Sequence, residues 1–171
     1  MRYRRPLTVL LIEVDFEHFS PGQNVKWGMA YTIYKQLGPL FMRQLRKVDL
    51  AARMGGEQFA LLLPETGLAG AQIAGERIRK AVETHEFIGE DVSSRVRVAI
   101  NVGMATFPDH GTGSDELMAT AQKALLLARR DGGNLALVYP ERLHDPEVVF
   151  RTLAPPNAAA GSPSPARAEP D

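Results

Sequence analysis

Apolar residues run without interruption through Leu7–Val14 (LTVLLIEV), the pattern of a strand buried on both faces. From about residue 25 to 46 they fall instead at helical spacing, at Ile33, Leu37, Leu40, Phe41 and Leu45. Gly38-Pro39 predicts a kink or break in that helix, and Ser20-Pro21-Gly22 a loop before it. Two short runs, Leu50–Met54 and Phe59–Leu63, flank Gly55-Gly56, which is hairpin chemistry. Leu68, Ala71, Ile78 and Val82 share one face of a helix over Leu68–Glu83. Val96–Ala105 alternates and is rich in β-branched residues, so it reads as a strand. Ser114 is the expected N-cap of a helix whose stripe is Leu117, Met118, Ala121, Ala124, Leu125 and Ala128. Gly132-Gly133 ends that helix, and Leu135–Tyr139 is the last strand. The order β-α-β-β-α-β-α-β predicts an α+β fold, a central mixed sheet flanked by helices.

Composition narrows the function. The 171 residues carry 20 Lys+Arg against 20 Asp+Glu, so no basic excess exists to neutralise nucleic-acid or membrane phosphates. There is no cysteine, which removes disulfides and thiolate metal sites. No run of about 18 apolar residues occurs, so no membrane span is expected. The short apolar stretch near the N-terminus is broken by Glu13 and Asp15, unlike a signal peptide, and a cytoplasmic location is expected. The Ala/Pro/Ser-rich end cannot bury enough surface to offset its ordering entropy. The expected division is a folded domain over 1–149 and a disordered tail over 150–171. Trp27 is expected to pack, the four histidines to be solvated or capping, and the Leu125-Leu126-Leu127 run to be mostly core, with its outermost member free to touch a partner.

The informative segment is Arg46–Thr66, RKVDLAARMGGEQFALLLPET. Gly55 and Gly56 permit positive φ and close backbone approach by a ligand, and Glu57 at the turn's exit can hold a cation. Taken alone, this is equally a plain hairpin with a solvated acid, and Arg46 with Asp49 an ordinary surface i,i+3 pair. In its wider setting it resembles the signature of the GGDEF family, the diguanylate cyclases that join two GTP molecules into cyclic di-GMP. Arg46, Asp49, Gly55, Gly56, Glu57, Phe59, Pro64 and Thr66 fall in step with R-x-x-D, G-G-[DE]-E-F and P-x-T. LTVLLIEVDFEHF, AGERIRKAV, VAINVGMATFP and ELMATAQKALLLARRDGGN resemble the family's other segments, over about Leu7–Val138. The family's opening L-T-G-L-x-N-R-R element is absent from this sequence. The resemblance implies the ferredoxin-like palm of nucleotide cyclases.

The resemblance also implies roles. Mg²⁺, where GTP binds, would lie at Glu13, Val14 and Glu57, with the signature residues Gly55, Gly56, Glu57, Gln58 and Phe59 at the catalytic turn. Departures cluster there. Glu13 replaces an Asp, and Gln58 replaces the second signature acid. Glu17 and His18 take phosphate-facing positions, Pro21 replaces a guanine-reading Asn, and Ala30 or Tyr31 replaces a guanine-reading Asp. Arg129 can still bind phosphate, whereas Gly133 stands where an Arg is usual. A site built to hydrogen-bond a base loses orders of magnitude in discrimination without its partners. By contrast Arg46, Asp49 and Arg77 match all three positions of the family's inhibitory site for cyclic di-GMP. The expectation is a domain that binds cyclic di-GMP without making it. The alternatives are a weak cyclase, or an interaction module forming a homodimer or a heterodimer with another GGDEF domain.

Overall fold

The computed structural model describes residues 5–19, 21–22, 26–89 and 93–139. The elements are β1 (Leu7–Asp15), α1 (Trp27–Gln44), β2 (Leu50–Gly55), β3 (Gln58–Pro64), α2 (Leu68–Glu83), β4 (Phe87–Ile88), β5 (Arg95–Val96), β6 (Ala99–Phe107), α3 (Ser114–Arg130) and β7 (Ala136–Val138). Five strands form one sheet in the order β2-β3-β1-β6-β7, while β4 and β5 pair as a separate ribbon. Only β6–β7 is parallel, so the main sheet is mixed as expected.

β1 lies between β3 and β6 and explains the continuous apolar run. Leu10, Ile12 and Val14 join Ile33, Leu37 and Phe41 of α1 and Ile78 and Val82 of α2 in one core. Val9 and Leu11 point the other way, against Ala105 and the Leu117, Ala121 and Leu125 stripe of α3. The sheet thus carries two helices on one face and one on the other. Gly103 of β6 is what lets α3 sit so close: a Cβ there would lie 2.2 Å from the Ala121 carbonyl oxygen.

Several expectations need correction. α1 is continuous through Gly38-Pro39. Pro39 forfeits one backbone bond, but Leu37, Leu40 and Phe41 are buried around it, and packing carries the helix through. Ser114 is not the N-cap of α3; Gly113 is, without a side-chain cap bond. Glu116 reaches back instead, its carboxylate accepting from the Thr112 N–H at 2.7 Å and hydroxyl at 3.1 Å. Those two bonds hold the Glu116 carboxyl below its ordinary range. The strand expected over Val96–Ala105 divides, with Val96 in β5 and β6 beginning at Ala99. Ser20, the boundary at 149 and the tail lie outside the described residues.

Candidate functional site: an acidic cleft beside a glycine hairpin

The antiparallel register of β1 and β3 sets Glu13 opposite Gln58. One residue on, the Val14 N–H donates to the Glu57 carbonyl at 3.0 Å, fixing the hairpin turn against the end of β1. Gly55 and Gly56 adopt φ of 120° and 52°, which is what glycine supplies to this turn. The result is a cleft of about 680 Å³ whose lining includes Glu13, Val14, Asp15, Glu17, His18, Pro21, Glu57 and Arg129. Partial burial first, then the charge of Glu13, pushes the Glu57 carboxyl above its ordinary range; Arg129 opposes this, and Asp15 and Glu17 add to it.

Glu13 is already satisfied from within the chain. Arg129 pairs with its Oε1 at 3.5 Å, and the Gln58 Nε2 donates to its Oε2 at 3.4 Å. Asp15 is a turn former, its Oδ1 accepting the N–H groups of Glu17 and His18, each at 3.0 Å. Gly133 approaches the same corner: a Cβ on it would lie 3.0 Å from Asp15 Oδ2 and 3.4 Å from His18 Nδ1. The donor set suits Mg²⁺ in type, since that ion takes one or two carboxylates and completes its shell with waters and phosphates. Glu13, Glu57 and the Val14 carbonyl are the groups that would hold it. Among the described residues no set of three or more acidic, histidine or cysteine side chains converges on one point.

A second pocket of about 230 Å³ opens between the start of α1 and the hairpin, lined by Phe16, Trp27, Ala30, Tyr34, Arg53, Gly56 and Glu57. Here Trp27 departs from expectation: it is 81% exposed and forms a wall. It sits at the first position of α1, too far along the helix end to reach the core. Ala30 faces this pocket, whereas Tyr31 is exposed beneath the Lys35 ammonium, 4.4 Å from its ring centroid. Tyr34 and Arg53 belong to the site although the sequence reading passed over them. The Arg53 guanidinium stacks over the Tyr34 ring at 4.4 Å and donates to the Gly56 carbonyl at 2.9 Å, tying β2 to the turn. Their signal was positional: Tyr34 lies one helical turn beyond Ala30, and Arg53 is the cross-strand partner of Phe59. Asn101, polar within an apolar strand, is another missed residue; its side-chain oxygen is buried without a donor.

Arg46 and Asp49 lie just beyond the C-terminal end of α1, and Arg77 of α2 reaches the same helix end. The Arg46 N–H donates to Asp49 Oδ2 at 2.7 Å, closing a tight turn before β2. The two side chains are therefore not a surface ion pair. The Arg46 guanidinium is exposed and has no partner among the described residues, and Asp49, 7% exposed, keeps its Oδ1 without a donor. Arg77 crosses from α2 to donate to the Gln44 carbonyl at 2.8 Å, at the C-terminus of α1.

A mixed five-stranded sheet of this order, flanked by helices, is the α+β architecture that solved GGDEF domains share. The family described as "Diguanylate cyclase, GGDEF domain" matches residues 2–135. The chain belongs to the GGDEF family. It is 27% identical over 133 residues to diguanylate cyclase A of Treponema denticola, covering 77% of this chain and 34% of that protein. It is 33% identical over 129 residues to YhcK of Bacillus subtilis, covering 72% and 34%. The chain thus spans about a third of these relatives. Among solved structures, the GGDEF domain of TpbB (YfiN) from Pseudomonas aeruginosa has a TM-score of 0.73 at 26% identity, covering 85% and 83%. The GGDEF domain of DgcB from Caulobacter crescentus, solved with c-di-GMP, shares the fold with a TM-score of 0.62 at 20% identity, covering 78% of each chain. Membership ties the chain to cyclic di-GMP signalling. No described helix is long and apolar enough to cross a membrane.

Proposed function

We propose that this domain binds cyclic di-GMP through Arg46, Asp49 and Arg77 and does not synthesise it. The observation that carries the reading is the turn just past α1, where Arg46 exposes a guanidinium with no partner among the described residues and Asp49 keeps one carboxylate oxygen without a donor. A guanine presents O6 and N7 to the former and N1–H and N2–H to the latter. Two guanidiniums against one carboxylate also leave a positive balance for the ligand's phosphates. In the cleft, groups that would meet GTP are already engaged within the chain. Arg129 and Gln58 are spent on Glu13. The described lining of the second pocket offers Ala30 where a guanine acceptor is needed.

Calorimetric titration tests this. Cyclic di-GMP binds the wild type, and Arg46→Ala weakens it by about 1.5–3 kcal/mol, roughly tenfold to a hundredfold. Glu57→Ala leaves binding unchanged. No heat at about 100 μM ligand, or loss with Glu57→Ala instead of Arg46→Ala, defeats the reading. One observation favours a second reading, a weak cyclase: Glu13 and Glu57 still meet at the cleft. It predicts cyclic di-GMP from GTP and Mg²⁺, abolished by Glu57→Ala; the first predicts none above background.

A further inference from the structure

Among the described residues, Glu13, Asp15, Glu17 and Glu57 line the cleft against a single guanidinium, that of Arg129. Negative charge alone makes no site, but one corner adds geometry. The point that a Cβ on Gly133 would occupy lies 3.0 Å from Asp15 Oδ2, 3.4 Å from His18 Nδ1 and 3.6 Å from Asn101 Oδ1. Beyond the neighbouring residues these are the three nearest heavy atoms, and all three are metal-ligating types. Any other residue at 133 would begin its side chain at that point; glycine leaves it open.

The fold holds each of the three atoms in place. Asp15 uses Oδ1 for the N–H groups of Glu17 and His18, which leaves Oδ2 to the Gly133 side. The same turn fixes the His18 backbone, while its imidazole makes an edge contact with Phe19. Asn101 of β6 is 1% exposed, lies across the register from Glu13 and lines the cleft. Its Oδ1 has no donor, which is costly for a buried oxygen. Gly133 is set by its N–H donating to the Ala128 carbonyl at 3.1 Å, and Asn134 beside it by bonds to Arg79 and Glu83 at 2.9 and 2.7 Å. Three lone pairs around one point exceed what a water can satisfy, since it has two protons to donate; a cation satisfies all three.

We propose that this corner binds one divalent transition-metal ion, of the zinc or manganese type, through Asp15 Oδ2, His18 Nδ1 and Asn101 Oδ1. An imidazole beside two oxygens selects such ions over Mg²⁺ and Ca²⁺, which take oxygen ligands. Ligation at about 2.0–2.2 Å draws the three atoms in by roughly 1 Å, an adjustment of side chains, and the cleft leaves further positions to water. One carboxylate, one imidazole and one amide are not a cluster of acids and histidines, and none of the three belongs to the Glu13, Val14 and Glu57 set. Bound there, the ion joins the turn after β1, strand β6 and the loop after α3. The inference does not rest on cyclic di-GMP binding.

The test is calorimetric titration of the full chain, free of any histidine tag, with Zn²⁺. The wild type binds one ion with Kd tighter than about 100 μM, and about 10 mM Mg²⁺ does not displace it. Loss of a group that merely supports a ligand costs tenfold or more in affinity, so His18→Ala, folded by circular dichroism, raises Kd at least about tenfold. Asn101→Asp keeps the oxygen and adds charge, and binds at least as tightly as wild type. Glu57→Gln changes Kd by less than about tenfold. The His18 ring resonances shift with Zn²⁺, and those of His85, outside the cleft lining, do not. A wild-type Kd weaker than about 100 μM, as a corner that holds only water would give, overturns the proposal. So does a smaller effect of His18→Ala, weaker binding by Asn101→Asp, or an unmoved His18 ring. Displacement by Mg²⁺, or a loss of about tenfold or more with Glu57→Gln, also overturns it, placing the ion at Glu13 and Glu57 instead.

Discussion

Replacing Gly103 with alanine should detach α3 from the sheet. Gly103 sits mid-strand in β6, paired with Leu11 of β1. A methyl group there meets the Ala121 carbonyl oxygen at 2.2 Å, the Leu125 nitrogen at 2.3 Å and the Leu125 Cα at 2.8 Å. Non-bonded carbon contacts settle near 3.5–4.0 Å, so α3 must retreat by roughly 1 Å. All three obstacles are backbone, and no rotamer change relieves them. The cost belongs at the top of the overpacking range, about 3 kcal/mol or more. At roughly 2–4 °C per kcal/mol for a chain of this size, Tm falls by about 6–12 °C. Gly75→Ala is the comparison. Its methyl meets the Met104 Sδ at 2.5 Å and Cε at 2.9 Å, the flexible end of a side chain, so about 1 kcal/mol is expected. Gly38→Ala meets nothing within 4 Å beyond its own neighbours, but its Cβ crowds the Pro39 ring in the helical conformation, so less than the usual gain of about 0.5–1 kcal/mol is expected. Urea denaturation followed by circular dichroism gives all three. The reasoning is refuted if Gly103→Ala costs under about 1 kcal/mol, or less than Gly75→Ala.

Two further substitutions probe the elements around the cleft. Glu57 has a raised pKa in the fold, so its ionisation opposes folding; that penalty is absent below its unfolded pKa and complete above the folded value. Glu57→Gln should therefore be more stable than wild type at pH 7–8, with the difference closing towards pH 4, and a pH-independent difference counts against the assignment. Arg79 bonds Glu76 at 2.8 and 2.7 Å and the Asn134 side-chain oxygen at 2.9 Å, anchoring α2 to the turn after α3. Arg79→Ala should lower stability by about 1–3 kcal/mol in the same denaturation assay, whereas a change under about 0.5 kcal/mol would mark the network as dispensable.

The elements that the chain's pattern announced are those whose signal is one of burial. The uninterrupted Leu7–Val14 run reports helices on both faces of β1, and the stripes of α1, α2 and α3 report the faces they bury. Local rules failed where packing or a distant side chain outweighed them. Pro39 did not break α1, because Leu37 and Phe41 hold it to the sheet. Ser114 did not cap α3, because the helix already begins at Ser114, with Gly113 at the cap and its carbonyl accepting the Leu117 N–H. The two-residue strands β4 and β5 are too short for periodicity to show. In the site, the glycine hairpin and its acid were legible from spacing. The position of Trp27 on the pocket wall and the stacking of Arg53 on Tyr34 were not, since both depend on how α1 lies over β2.

The changes at positions 13 and 58 act as one change, and this too is testable. Glu13 offers two carboxylate oxygens, and each has a donor: Arg129 at Oε1 and Gln58 at Oε2. Arg129 offsets part of the charge of Glu13, and Gln58 adds a neutral donor. A cation that takes Glu13 must displace an arginine and forgo an amide donor, both at a cost. Gln58→Glu removes one donor and adds a carboxylate directly across the β1–β3 register from Glu13. The variant should be less stable than wild type without divalent ions, because like charges then face each other on adjacent strands. It should also respond to Mg²⁺. If the created site binds with Kd of about 1 mM, 10 mM Mg²⁺ returns about 1.4 kcal/mol through linkage. That raises Tm by about 3–6 °C. The wild type should move by less than about 1 °C, since a cation taking Glu13 must displace Arg129 and Gln58. Equal stabilisation of both proteins by Mg²⁺ would show that the internal pairing of Glu13 does not hold the metal off. The cleft would then have to be regarded as a working metal site despite the glutamine.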